Sequence, residues 1–133
     1  MIEYTNPFNI RYTKSNRWLG LVGQKDGFCV FCDREHGVRA ACILIMRTYR
    51  RKGCKTIDSI LYRYAPPSEN NTKKYISFIE NRTTIKSYEI LSSDDYPSVL
   101  SAMSEYEVGF GNHVFPLYIS DVISKYKIKI YPL

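Results

Sequence analysis

TIDSILYRYAPPSENNTKKYISFI, residues 56–79, decides the fold because it encodes two helices with a sharp break between them. Thr56 is a typical N-cap residue, since its hydroxyl can accept a hydrogen bond from a backbone N–H of the first turn. Ala65-Pro66-Pro67 ends the first helix, because the residue before a proline is pushed out of the helical conformation. The second helix begins near Asn70 or Asn71. The apolar residues recur at helical spacing: Ile57, Ile60, Leu61 and Tyr64 in the first helix, and Tyr75, Ile76 and Ile79 in the second.

Another helix is predicted on the N-terminal side of this stretch, over residues 38–49. Its apolar residues form one continuous stripe: Val38, Ala41, Cys42, Ile45, Met46 and Tyr49. Gly53 lies just past the end of the stripe and favours termination there. A basic cluster falls in the same region, where positive charge stabilises the carbonyl end of a helix dipole: Arg47, Arg50, Arg51 and Lys52.

Before that helix, the sequence predicts a small antiparallel sheet. Residues 8–12 alternate apolar and polar side chains, as a half-buried strand does. Two further short strands are predicted over residues 18–22 and 28–31. The Asp26-Gly27 pair indicates a tight turn between them.

A fourth helix is predicted after a polar stretch that follows residue 83. Asp94 and Asp95 introduce this helix, Pro97 occupies its first turn, and Gly109 ends it. The inner face of this helix carries Val99, Leu100 and Met103.

A last helix over residues 116–126 and a strand over residues 128–130 complete the predicted elements. The sequence contains no internal repeat and no long linker. We therefore expect residues 1–133 to form one α+β domain, mostly helical, with a small N-terminal antiparallel sheet.

The composition is that of a basic globular chain. Nineteen Lys and Arg residues against 13 acidic residues give a net charge of +6 at pH 7, which attracts polyanions such as acidic cell-wall polymers. No nucleic-acid-binding motif accompanies this charge, so we expect no nucleic-acid partner. No apolar run approaches the ~20 residues that span a bilayer, so we expect no membrane insertion.

Residues 1–9 lack the basic-then-apolar layout of a secretory signal. We therefore expect the chain to be made in the cytoplasm. Action at the bacterial cell wall would then require release by lysis, delivery by a virion, or a secretion machine.

Three segments carry motifs: NPFNIR with WLG (residues 6–11 and 18–20), EHGVRA (residues 35–40), and the part of the opening stretch from TI to YAPPSENNTKKY (residues 56–75). They resemble, in order, the motifs N-P-G-N-I-R…W-x-G, (E/Y)-G-I-R-A and T-I…W-A-P-P-x-E-N-x-T-x-x-Y of small phage-encoded lysozyme-like proteins. Members of this family are often described as virion structural proteins. The chain departs from the motifs at Phe8, where the family has glycine, and at Tyr64, where it has tryptophan.

The resemblance implies a lysozyme-like fold that cleaves peptidoglycan glycan, as a muramidase or a lytic transglycosylase. In ordinary lysozyme-like enzymes, the helix with the catalytic glutamate precedes the small sheet. Here the helix with an E-x-G ending, residues 102–109, follows the sheet. This order implies a circularly permuted fold, which is tolerated when the original termini lie close together at the surface.

Glu107 matches the family's glutamate and is the predicted general acid. Cleavage of a glycosidic bond needs a carboxylic acid that is still protonated near neutral pH. Partial burial at the carbonyl end of a helix favours that protonated form. Glu105 lies two residues away and would point to a different face.

The second carboxylate stays open among Glu35, Glu69 and Asp26. An acetamido group of the substrate could replace it, as in substrate-assisted glycosidases. The residues predicted to contact substrate are Asn6, Asn9, Arg11, Trp18, Glu69, Asn70, Thr72 and Tyr75. Each of these also has a purely structural interpretation, as a helix cap, a sheet brace or a core aromatic.

The main alternative is a non-catalytic protein of the same fold that binds peptidoglycan or neighbouring proteins of a virion or secretion machine. A weaker alternative is a cysteine peptidase that uses Cys29 or Cys32 with His36 or His113. Cys29 and Cys32 also have the spacing of a zinc knuckle, but no second pair of ligands follows. We therefore expect packed free cysteines, and no metal or cofactor.

Overall fold

The computed structural model describes residues 4–132, in which five α-helices and one two-stranded antiparallel sheet form an α+β fold. The elements are β1 (Leu21–Lys25), β2 (Phe28–Phe31), α1 (Arg34–Ile43), α2 (Ile57–Tyr64), α3 (Thr72–Thr83), α4 (Tyr96–Val108) and α5 (Pro116–Lys125). A π-helical segment, Leu44–Tyr49, continues α1, and a 3-10 turn, Ser93–Asp95, precedes α4. The expected α+β class is confirmed. Within residues 4–132, no helix is long and apolar enough to cross a membrane.

The hairpin of β1 and β2 turns at Asp26 and Gly27, as predicted. Both residues have positive φ, 53° and 86°, which Asp and Gly tolerate best. The strand expected over residues 8–12 is wrong: within it, Arg11 alone forms an isolated bridge, to Phe28. Asn9 lies in the left-handed region at φ 53°, and this conformation interrupts an extended strand.

The strand expected over residues 18–22 begins only at Leu21. Its N–H donates to the carbonyl of Trp18, so residues 18–20 form a turn. The hairpin packs its Cys29 and Phe31 side chains inward, while Cys32, the residue after β2, is exposed.

The helix predicted over residues 38–49 is present as α1 and the π-helical segment. Asp33 caps α1, because its side chain accepts a hydrogen bond from the N–H of His36. In the π-helical segment, the carbonyl of Met46 accepts a hydrogen bond from the N–H of Tyr131. An outside donor of this kind competes with the regular helical ladder and accompanies its widening.

Arg50 corrects the interpretation of the basic cluster as dipole complementation. Its guanidinium is buried and donates to the carbonyls of Leu91 and Tyr131 and to the hydroxyl of Tyr96. Arg50, which follows the π-helical segment, therefore links that segment to the start of α4 and to the C-terminal residues. Those C-terminal residues do not form the strand expected over residues 128–130.

Both helices of the opening stretch are confirmed. The hydroxyl of Thr56 accepts a hydrogen bond from the N–H of Ser59, and α2 ends at Ala65, directly before the two prolines. Asn71 caps α3, since its side chain accepts from the N–H of Lys74. The loop between the two helices carries Glu69 and Asn70.

The helix α4 is the central element of the core. It packs against α3 and α5 and is apolar or small on nearly every side, which is typical of a buried helix. Its buried residues are Tyr96, Val99, Leu100, Ser101, Ala102, Met103 and Ser104. Its first turn, at Pro97 and Ser98, and its last turn, from Glu105 onward, are half-buried. Gly109 ends the last turn with φ 89°. Glu107 lies in that last turn.

Candidate functional site

A groove of about 470 Å³ opens beside the C-terminal end of α4. Its volume is in the range of sites that take small ligands or short polymer segments, about 300–1,000 Å³. The loop before β1, the strand β2, the π-helical segment, α2 with its following loop, and the end of α4 form its walls. The lining residues are Asn9, Ile10, Arg11, Thr13, Asn16, Trp18, Phe28, Leu44, Tyr49, Arg63, Tyr64, Ala65, Pro66, Glu69, Asn70 and Glu107.

Glu107 is half-buried at the inner wall of this groove, and both of its carboxylate oxygens are hydrogen-bonded. Its Oε1 accepts from Asn9 Nδ2 at 2.9 Å, and its Oε2 accepts from the hydroxyl of Tyr75 at 2.8 Å. Two neighbours from distant parts of the chain therefore set the orientation of the carboxyl group.

Burial raises the pKa of Glu107 above its ordinary value, because the protein removes water from the charged form. The hydrogen bonds from Asn9 and Tyr75 and the positive charge of Arg11 oppose this shift, but burial outweighs them. A raised pKa retains the proton at higher pH than in an exposed glutamate. Proton donation to a bound substrate needs this property.

Tyr75 forms its hydrogen bond to Glu107 from inside the core. Its ring is buried and stacks on Tyr106 with ring centroids 3.9 Å apart. Its hydroxyl lies 3.2 Å from the carbonyl of Met103 as well as 2.8 Å from Glu107. The phenol can therefore donate to the carboxylate, or turn to Met103 and accept a proton from the carboxylic acid. Tyr75 is a positioning residue and does not line the groove.

Asn9 reaches Glu107 because its backbone adopts the left-handed conformation that asparagine tolerates better than most residues. Its Nδ2 also approaches the backbone carbonyl of Glu107, at 3.3 Å. Asn6 supports this loop from below: its side chain accepts from the N–H of Ile10 and donates to the carbonyls of Ile10 and Cys29. Asn6 is buried and braces the hairpin, which corrects its prediction as a substrate contact.

The outer walls of the groove combine arginines with aromatic rings. Arg11 lies over the ring of Phe28 and 3.7 Å from the carboxylate of Glu69. Arg63 lies over the ring of Tyr49. These groups offer positive charge, hydrogen-bond donors and flat apolar surface within one groove, which suits a polar polymer with acidic substituents.

Trp18, one of the predicted substrate contacts, lines the groove. Its indole N–H is buried and finds no acceptor within the part of the chain that the structure describes. Asn70 also lines the groove. Thr72 does not: its hydroxyl is buried and donates to the carbonyl of Ala65, so it fixes the loop that carries Glu69 and Asn70. This corrects its prediction as a substrate contact.

Of the three predicted second carboxylates, Glu69 alone lines the groove. Glu35 is instead bonded to Lys125 and to the hydroxyl of Tyr126. Asp26 occupies the hairpin turn. Neither residue lies where it could act as the partner of Glu107. The ion pair with Lys125 holds Glu35 outside the groove, and the hairpin turn does the same for Asp26.

Glu105, the alternative acid, faces away from the groove. Its carboxylate forms an ion pair with Arg82, at 2.9 Å. Consecutive helical positions point about 100° apart, so two residues along α4 are enough to separate the two glutamates.

Several groove residues are not predicted as site residues by the sequence, among them Asn16, Tyr49, Arg63 and Tyr64. The sequence predicts Tyr64 as an apolar helix position that departs from the family motif. In the structure, its hydroxyl donates to the carbonyl of Phe8 and holds the Asn9 loop. Helix periodicity predicts that Tyr49 lies in the core and that Arg63 lies on the surface. No local signal shows that the two helices turn them toward one groove.

The cysteine-peptidase alternative loses Cys29. That residue is buried, burial raises the pKa of its thiol, and its Sγ donates to the carbonyl of Arg11. A buried thiol of raised pKa is a poor nucleophile. Cys29 and Cys32 cannot bind one zinc ion as a zinc knuckle does, because Cys29 is buried and Cys32 is exposed.

No model of a known protein family matches the chain. Comparison with individual proteins finds similarity to Protein P5 of Pseudoalteromonas phage PM2. The two are 41% identical over 119 residues, which cover 86% of this chain and 74% of that protein.

Proposed function

Because this chain belongs to the family of Protein P5 of Pseudoalteromonas phage PM2, we propose that it serves a bacteriophage at the host cell wall, where its groove binds peptidoglycan glycan and Glu107 cleaves it. The family membership supports the bacteriophage part of the proposal. The geometry of the groove supports the rest.

The observation that carries the cleavage step is the environment of Glu107. Its carboxyl group faces the groove, burial raises its pKa, and two hydrogen bonds orient it. A general acid of a glycosidase needs these three properties, because it must hold a proton near neutral pH and deliver it to the oxygen of the leaving sugar. The lysozyme-like resemblance of the sequence motifs assigns the same residue.

The groove also fits a glycan that carries acidic groups. Trp18 and Tyr64 offer flat surfaces on which sugar rings pack, and Asn9, Asn16 and Asn70 offer amide groups to hydroxyl and acetamido substituents. Arg11 and Arg63 offer charge to the carboxylates of the lactyl and peptide substituents that peptidoglycan bears.

Glu69 and the substrate's acetamido group are the two candidates for the second step of the reaction. The ion pair with Arg11 keeps Glu69 at the groove. Glu69 could activate a water molecule for hydrolysis, which yields a reducing end. Assistance by the substrate, in the manner of a lytic transglycosylase, yields an anhydro end.

A second candidate function is a non-catalytic component of a virion that binds peptidoglycan or neighbouring virion proteins. The comparison favours this candidate more directly than cleavage, because the name Protein P5 carries no activity and a phage relative fits a structural role. The same groove would then hold the glycan without cutting it. For this candidate we propose partners in a virion or a secretion machine. For both candidates we propose a circularly permuted lysozyme-like fold.

The deciding experiment incubates purified peptidoglycan sacculi, including those of Pseudoalteromonas, with wild type, Glu107→Gln and Glu105→Gln. Released products are identified by mass spectrometry, and bound protein is measured by co-sedimentation. Glu105→Gln is the matched control, because it removes a carboxylate from the same helix outside the groove.

We expect soluble muropeptides from wild type and Glu105→Gln and none from Glu107→Gln. Binding without products from any variant would support the non-catalytic candidate and refute cleavage. Equal products from all three variants would remove Glu107 from the reaction. Neither binding nor products on any wall type would refute both candidates.

A further inference from the structure

Cys32, Asp33 and His36 converge where β2 passes into α1, outside the groove lining. The Nδ1 atom of His36 lies 2.7 Å from Asp33 Oδ1 and 3.4 Å from Cys32 Sγ. The three side chains thus place one sulfur, one oxygen and one nitrogen within 4.8 Å of one another. Cysteine sulfur, histidine nitrogen and carboxylate oxygen are all ligand types that bind zinc.

We propose that these three side chains bind one divalent cation of the zinc type, with water completing the coordination shell. Zinc bonds of about 2.0–2.3 Å in a tetrahedron separate neighbouring ligand atoms by about 3.3–3.8 Å. The observed separations, from 2.7 Å up to at most 4.8 Å, bracket that range. Small side-chain adjustments would therefore bring all three atoms to bonding distance.

The geometry fits a metal site better than a catalytic cysteine. In a Cys-His-Asp triad, the carboxylate and the thiol bind opposite nitrogens of the imidazole. Here the same nitrogen, Nδ1, faces both Asp33 and Cys32. Three ligand atoms that point to one centre can share a cation, whereas they cannot relay a proton in sequence.

The backbone fixes the cluster before any cation arrives. Asp33 is held as the N-cap of α1, and the N–H of Cys32 donates to the carbonyl of Gly20 at 2.7 Å. Gly20 also lies against the imidazole: a Cβ atom built there would come within 2.5 Å of His36 Cγ. The ring therefore has little freedom to turn away, and a preformed site costs less ordering on binding.

The surrounding charge permits a cation. Lys125 is a positively charged neighbour of Asp33. Its ammonium is paired with Glu35 Oε2 at 2.8 Å, which offsets its repulsion. With a thiolate and a carboxylate as ligands, the site carries two negative charges toward the ion.

A cation here would join the end of the hairpin to the first turn of α1. The hairpin carries Phe28 and the α1 unit continues to Leu44, and both residues line the groove. Binding would therefore stabilise the folded chain without supplying a group to the groove. The proposal stands independently of peptidoglycan cleavage.

The test titrates reduced full-length protein with Co²⁺, followed by Zn²⁺ competition, and reads the thiolate-to-cobalt charge-transfer absorption. Isothermal titration with Zn²⁺ gives the stoichiometry, and thermal unfolding gives the stabilisation. The variants are Cys32→Ser, His36→Ala and Asp33→Asn, the last of which keeps a helix-capping residue. Glu35→Gln is the matched control, because its carboxylate lies in the same turn but faces Lys125.

We expect one equivalent of metal, a charge-transfer band, and a rise in Tm on adding Zn²⁺. Cys32→Ser should eliminate the band, and Cys32→Ser and His36→Ala should each remove saturable binding. Asp33→Asn should weaken binding. Glu35→Gln should keep the charge-transfer band and the one-to-one stoichiometry, with at most a modest fall in affinity because Lys125 loses its partner. Circular dichroism verifies that each variant is folded. Absence of saturable binding in folded wild type, or binding that survives both Cys32→Ser and His36→Ala, would overturn the proposal.

Discussion

At the scale of single residues, Glu107 depends on partners that are far from it in sequence. Asn9 precedes it by 98 positions and Tyr75 by 32. The left-handed backbone of Asn9 and the buried hydroxyl of Tyr75 are both needed to hold the carboxyl group at the groove. Burial raises the pKa of Glu107, and the hydrogen bonds from Asn9 and Tyr75 oppose that shift without cancelling it.

The raised pKa of Glu107 predicts a pH-dependent effect of Glu107→Gln on stability. Because the folded-state pKa exceeds the unfolded one, the carboxyl group favours folding when protonated, and this contribution is lost as the pH rises through the folded-state pKa. The neutral amide avoids the loss. Glu107→Gln should therefore have a Tm a few degrees above wild type at pH 7, at about 2–8 °C per kcal/mol.

Below the unfolded pKa of about 4.3, the difference in Tm between Glu107→Gln and wild type should shrink toward zero. Thermal unfolding followed by circular dichroism from pH 4 to pH 8 measures it. Glu105→Gln, which breaks the ion pair with Arg82, should show no gain at neutral pH. A difference for Glu107→Gln that stays constant across this range would contradict the burial of a titrating carboxyl group.

At the scale of elements, α1 approaches the N-terminal loop closely enough to require glycine at position 37. A Cβ atom at Gly37 would lie 1.9 Å from the carbonyl oxygen of Thr5, far inside contact distance. The hydroxyl of Thr5 in turn accepts from the N–H of Phe31. One glycine thus lets helix, loop and hairpin pack together, which gives a physical reason for the glycine in the EHGVRA segment.

This close approach predicts that Gly37→Ala is destabilising, by about 1–3 kcal/mol, because backbone must move to relieve the overlap. Gly23→Ala is the matched control: no atom lies within 4 Å of the Cβ built there. It should change stability by no more than about 0.5 kcal/mol. Chemical denaturation of both variants measures the difference. Equal stabilities would show that the loop moves away from α1 at no cost.

At the scale of the whole molecule, the net charge of +6 acts together with the shape of the groove. Arg11 and Arg63 bring part of that charge to the groove. Long-range attraction to an acidic wall polymer should raise the rate of encounter, while the groove gives the specific contacts.

The charge predicts that binding to sacculi weakens as the salt concentration rises. Between 0.1 M and 1 M NaCl the Debye length falls from about 10 Å to about 3 Å, which screens the surface charges. Co-sedimentation of Glu107→Gln, which should leave the glycan intact, measures retention in both salts. We expect a marked loss of bound protein at 1 M. Unchanged retention would mean that the groove contacts alone carry the binding.

Local patterns were sufficient for the helices of the opening stretch. Thr56, Ala65 and Asn71 begin or end them through contacts with near neighbours, so the sequence alone predicts their bounds within two residues. The same holds for the turn at Asp26-Gly27 and for the end of α4 at Gly109. Glu107 is predicted as the acid because its E-x-G ending resembles that of the lysozyme-like family.

Contacts between distant segments decided what local patterns could not. Residues 8–12 alternate like a strand, but the loop at Asn9 bends to meet Glu107. Arg50 reads as a charge at a helix end, yet its donors face the carbonyls of Leu91 and Tyr131 in the core. Glu35 forms an ion pair with Lys125, which lies 90 positions away in the sequence.

The sequence by itself therefore determined the α+β class and most helix bounds, and its resemblance to the lysozyme-like family predicted Glu107 as the candidate acid. Helix caps, apolar periodicity and turn residues act within a few positions along the chain, so the sequence alone is enough to predict them. The tertiary structure alone decided which polar residues share the groove, which of them brace it, and that Cys32, Asp33 and His36 meet at one point. Those facts depend on side-chain directions and packing between segments, which no local pattern encodes.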